Sequence, residues 1–149
     1  MNPTLKSIER SSRSSSAKHT HMNDNKRYRL YVLTNYYLSS LQKGLQTAHV
    51  VSELSLTRKK VYTDWAEQDR TIIILNGGNC ANLTEFSTWL ADNVSKWPWA
   101  AFHEDEDSLN GAITAVGIIL PASVYTGPAG ANSTDYALFT KLQQLALAV

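Results

Sequence analysis

The chain has 149 residues, of which 43% are hydrophobic and 18% charged, a profile that fits one globular domain. No apolar run approaches the roughly 20 residues that a bilayer-spanning helix needs, so no membrane partner is expected. The single cysteine, Cys80, excludes disulfide scaffolds and structural zinc modules, and makes a reducing, cytoplasmic setting the expectation.

The net charge of +1 hides a split. Residues 1 to 26 carry Lys6, Arg10, Arg13, Lys18 and Lys26 against Glu9 and Asp24, a net of +3, while the remainder sets nine basic residues against eleven acidic ones. A folded part so balanced has no strong overall field, so any nucleic-acid contact would rest on a local patch or on the tail. Residues 1–25 scatter five serines (Ser11, Ser12, Ser14, Ser15, Ser16) among charges without an apolar period, and read as a disordered tail. Residues 26–149 read as one domain.

Order begins with Tyr28 to Thr34, aromatic and β-branched, a strand. Ser39 and Ser40 supply hydroxyls for the free amides of a helix from about Leu41 to Leu56. No element is legible from Thr57 to Arg70. Thr71 to Leu75 reads as a buried strand ended by Gly77-Gly78. Asn82 and Glu85 then resemble a capping box for a helix with Leu83, Phe86, Leu90 and Val94 on one face. Segments near Trp99 to His103 and Ala112 to Leu120 flank an acidic turn, and a last helix aligns Leu138, Leu142, Leu145 and Val149. The order β-α-β-α-β-β-α predicts an α/β fold with a mixed sheet, its antiparallel pair coming from the hairpin around Glu104 to Asn110.

The chemistry concentrates in two places. At 100° per residue, Gln42, Gln46, His49 and Glu53 fall within about 60° of one another on the first helix. A solvated face is the plainer reading, yet amides and an imidazole are groups that orient ligands, where a surface face normally carries Lys, Glu and Arg. With Leu41, Leu45, Ala48, Val50, Val51 and Leu54 around it, this helix is expected to be buried over most of its circumference. Gly44, costing about 1 kcal/mol relative to Ala, points to a close neighbour. The second place is His103-Glu104-Asp105-Glu106-Asp107, where crowded carboxylates favour a general base. The spacing of a calcium loop is absent, so no metal is assigned. Arg58-Lys59-Lys60, with Tyr62 and Trp65 behind it, is the best phosphate-binding patch of the folded part.

The strand Tyr28–Thr34, the run Leu38-Ser39-Ser40-Leu41-Gln42-Lys43-Gly44-Leu45-Gln46-Thr47-Ala48-His49 and the run Ala112-Ile113-Thr114-Ala115-Val116-Gly117-Ile118 resemble the type II peptidyl-tRNA hydrolases, and more closely their shorter bacterial and phage relatives. The resemblance spans about residues 27 to 120. It implies a mixed four-stranded sheet flanked by helices on both faces and cofactor-free hydrolysis of the ester between a peptide and the 3′ ribose of tRNA. Gln46 and His49 match the family's helix-borne Gln and His, and Thr114 its strand threonine. The family lysine falls on Gln42, with Lys43 one residue away and about 100° around the helix. The family aspartate falls in the acidic turn, where Asp105 is the best match and Glu104 and Asp107 are rivals. The implied roles are Asp105 as base, Thr114, Gln42 and Gln46 as donors, and His49 as a tie between helix and strand. Lys43, Arg58, Lys59, Lys60 and Trp65 would hold the substrate, a tRNA or nucleotide-containing molecule, and a homodimer is compatible with this reading. The rival is a non-catalytic module that binds a nucleotide, a tRNA end or a protein in the same cleft.

Overall fold

The computed structural model describes residues 27–105 and 111–148. The expected tail, Glu106, Asp107 and the tip of the acidic turn lie outside the described residues. The chain runs β1 (Tyr28–Thr34), α1 (Ser40–Ser55), α2 (Lys60–Asp64), a π-helical turn (Trp65–Asp69), β2 (Ile72–Asn76), α3 (Cys80–Asn93), β3 (Trp99–His103), β4 (Ile113–Pro121), α4 (Ala122–Tyr125) and α5 (Thr134–Gln143). The strands form one mixed sheet in the order β2-β1-β4-β3. β1 is parallel to β2, from Leu30↔Ile72 to Thr34↔Asn76, and antiparallel to β4, while β3 is antiparallel to β4.

Alternation along β1 sorts the core into two layers. Leu30 and Val32 face α1 and pack with Val50, Leu54, Trp65, Ala115 and Ile119. Tyr31 and Leu33 face the other way, onto Leu83, Phe86 and Leu90 of α3 and Leu138 and Leu142 of α5. Helices therefore cover both faces. Burying a side chain as completely as Leu54 or Leu90 stabilises the fold by about 1.5–3 kcal/mol relative to leaving it in water.

Several local expectations need correction. The segment 57–70 is not featureless: it holds α2 and the π turn, too short for a periodicity signal. The box that starts α3 is Asn79 with Asn82, three residues earlier than the Asn82–Glu85 pair. The last helix ends at Gln143, and the chain then turns back as an extended segment. There Ala146 O accepts from Asn76 N at 2.8 Å and Ala148 N donates to Ile74 O at 2.9 Å, so the free edge of β2 is partly covered.

The first helix also sits differently from the expected wheel. Its buried stripe is Lys43, Gln46, Thr47, Val50 and Leu54, whereas Leu41 and Leu45 are 76% and 53% exposed. Gly44 has open space around it, with no atom within 4 Å of where a Cβ would stand. The close neighbour inferred from this glycine is not there. Among the described residues no helix is long and apolar enough to cross a membrane.

Candidate functional site

The parallel pair β1 and β2 and the edge strand β3 all finish at one end of the sheet, where α1 and α3 begin and β4 enters. β4 opens with an irregularity: His103 pairs with Ile113 but Phe102 pairs with Ala115, so Thr114 is an extra residue in the ladder. Such a bulge re-aims side chains. Ile113 packs in the layer beneath α3, Ala115 lies in the layer beneath α1, and Thr114 between them is turned to α1 as well. Without the extra residue, strict alternation would send Thr114 to the α3 side with Val116 and Ile118.

On α1, Ser39 caps the first turn. Its hydroxyl accepts from Gln42 N at 3.2 Å, and Gln42 Oε1 accepts from Ser39 N at 2.9 Å. Gln42 is thereby committed to the cap, on the exposed side of the helix. One turn on, Gln46 is buried against the sheet and forms the centre of a hydrogen-bond chain. Thr114 Oγ1 donates to Gln46 Oε1 at 3.2 Å, and Gln46 Nε2 donates to Glu104 Oε1 at 2.5 Å. The chain has a direction, because an ionised carboxylate only accepts and so orients the amide. Thr114 has spent its single proton on Gln46, while Gln46 retains its second amide hydrogen.

Glu104 is half-buried at the end of β3, and its backbone N–H donates to Ala112 O at 3.0 Å across the hairpin. Asp105 is exposed. Among the described residues, the carboxylate that touches the helix is thus Glu104. His49 is exposed and lies flat on Phe102, with ring centroids 4.3 Å apart and planes 4° from parallel. Lys43, also turned toward the sheet, is 9% exposed.

The basic trio is elsewhere. Arg58, Lys59 and Lys60 follow the far end of α1, a helix of 16 residues and hence about 24 Å long. Lys59 Nζ donates to Ser95 O at 2.8 Å, and Lys60 pairs with Asp64 at 3.0 Å, a contact that raises the lysine's pKa. Trp65 is 4% exposed and its indole donates to Thr71 O at 2.9 Å, so its ring serves the core rather than stacking on a ligand. These four residues do not flank Gln46. Gln46, His49 and Thr114 share one face of the sheet and one end of it; Gln42 stands on the same end, but outside the hydrogen-bond chain.

One participating residue, Phe102, and one backbone feature, the bulge, were not singled out by sequence reasoning. Phe102 could have been found from alternation with Ala100. The bulge had no signal, since one extra residue in a strand leaves the composition unchanged. No group of three or more His, Cys, Asp or Glu that could hold a metal occurs among the described residues. No known family model matches the chain, and no curated protein matches it either.

Proposed function

We propose that the chain is a cofactor-free hydrolase of the ester between a peptide and the 3′ ribose of a tRNA, working in the cytoplasm on a fold of the type II peptidyl-tRNA hydrolase kind. Beside the resemblance, one observation carries this reading: Thr114 and Gln46, two of the residues on which it rests, are joined through a directed hydrogen-bond chain to a carboxylate at the rim. In this reading Glu104 takes a proton from water, and the hydroxide adds to the ester carbonyl. The carbon–oxygen bond to the ribose then breaks, its electron pair leaves with the 3′ oxygen, and that oxygen takes up the proton, giving a free peptide acid and tRNA. The unspent amide hydrogen of Gln46 is the donor for the developing oxyanion. Thr114, being 2% exposed, is a positioning residue that holds Gln46 rather than a donor to substrate.

The second reading is a binding module without turnover, and Gln42 favours it. Where the resemblance implies an ammonium, this chain has an amide committed to a helix cap. The experiment is release of the N-blocked amino acid from N-blocked aminoacyl-tRNA by the purified full chain. Multiple turnover supports the hydrolase; saturable tRNA binding without release overturns it in favour of the module.

A further inference from the structure

On the face of the sheet opposite α1, residues of α3 and of the end of α5 line a cleft of about 230 Å³. Its floor is apolar, made by Leu33 and Phe86, and one wall is the ring of Trp89, which stacks on Phe86 at 13°. Glu85 stands on the α3 rim, Lys141 and Gln144 on the α5 rim. Lys141 Nζ lies 4.9 Å from the centre of the Trp89 ring. Neither the Glu85 carboxylate nor the Gln144 amide has a hydrogen-bond or ion-pair partner among the described residues, and the same holds for the Trp89 indole N–H. The indoles of Trp65 and Trp97, by contrast, are bonded to Thr71 O and Asp135 Oδ1.

We infer that this cleft binds a free α-amino acid with an apolar side chain. The rim carries one carboxylate and one ammonium, so a phosphate would meet Glu85 and a simple cation would meet Lys141. A zwitterion satisfies both, its carboxylate toward Lys141 and Gln144 and its ammonium toward Glu85. The side chain then covers Phe86 and Trp89 and removes apolar surface from water. The volume is below the roughly 300–1,000 Å³ of clefts that take drug-sized ligands, which fits a metabolite of about the size of leucine or phenylalanine. Both charges are solvent-exposed, so affinity is modest, with a dissociation constant on the order of 1 mM. This inference stands apart from the α1 site and does not depend on hydrolase activity.

The test is a titration of the isotope-labelled full chain, followed by the NMR signals of the Trp89 indole and the Gln144 side-chain amide. Leucine and phenylalanine should shift both signals saturably. N-acetyl-leucine, which lacks the ammonium, and leucinamide, which lacks the carboxylate, should each bind about fivefold more weakly, the equivalent of about 1 kcal/mol for an exposed ion pair. Glu85→Gln should abolish the discrimination against N-acetyl-leucine, and Lys141→Met that against leucinamide. Both side chains are exposed, so the variants should fold, which unchanged melting temperatures would verify. Absence of saturable shifts up to about 10 mM, tenfold above the expected constant, overturns the inference. So does equal binding of the blocked analogues or of inorganic phosphate.

Discussion

A Cβ built on Gly117 of β4 would run into Cγ1 of Val50 on α1, with Leu30 Cδ1 a further 3.3 Å contact. The glycine is therefore the seat on which the helix docks, and the docking is what brings Gln46 down to Thr114. Gly117→Ala should cost about 1–3 kcal/mol through overpacking and lower the melting temperature by several degrees. Adding Val50→Ala should recover part of that loss, so the two changes would be less than additive. Additive costs in a thermal or denaturant melt would show that the helix does not rest on the strand there.

Gly44 should behave in the opposite way. It lies mid-helix, on the exposed side, with nothing near its missing Cβ. Gly44→Ala should stabilise the protein by up to about 1 kcal/mol, read as a rise of a few degrees in melting temperature. A fall would mean that another surface packs against this side of α1 in solution.

These two glycines mark what the sequence could and could not say. Strand periods, the Ser39 cap and the four-strand count were legible because each rests on local residue chemistry. The orientation of α1 was not, since Leu41, Leu45, Val50 and Leu54 surround the helix and composition alone does not choose which of them face the sheet. Contact with Gly117 and with the bulged Thr114 makes that choice, and both are long-range. The same reasoning applies to the acid. Glu104 and Asp105 are adjacent and chemically alike, and only the end of the β3–β4 ladder decides which one reaches Gln46.

The tyrosines set an alkaline limit. Burial raises the pKa of Tyr125 and Tyr28 above the ordinary 10.0, and for Tyr28 the nearby Asp64 adds to the rise. The folded state therefore favours the neutral phenol. Their contribution to stability is present in full below pH 10.0 and is lost as pH rises through the elevated folded values. Melting temperatures measured across the alkaline range should fall above that point, and Tyr125→Phe should make the fall shallower. An unchanged slope would show that Tyr125 titrates normally in the folded protein.

The hydrogen-bond chain should be measurable as coupling. Thr114→Val removes the proton that satisfies Gln46 Oε1 in a buried place, at a cost of about 1–3 kcal/mol. Gln46→Leu removes both ends at once. The double variant should cost less than the sum, with a coupling energy of about 0.5–3 kcal/mol in a double-mutant cycle. A coupling near zero would mean that the two side chains do not interact in solution.

The choice between the two described acids, Glu104 and Asp105, can be decided by activity. Glu104 accepts from Gln46, whereas Asp105 is exposed. If Glu104 is the base, Glu104→Gln should lower kcat on peptidyl-tRNA by about 10²–10⁴-fold, the usual worth of a positioned proton acceptor, and it should do so with little change in KM. The glutamine can still accept from Gln46 Nε2 through its own oxygen, so stability should change little, and melting curves would confirm that chemistry rather than folding was lost. Asp105→Asn should leave kcat nearly unaltered. The reverse ranking, a large loss at Asp105 and a small one at Glu104, would make Gln46–Glu104 a structural strut and move the base one residue along the turn.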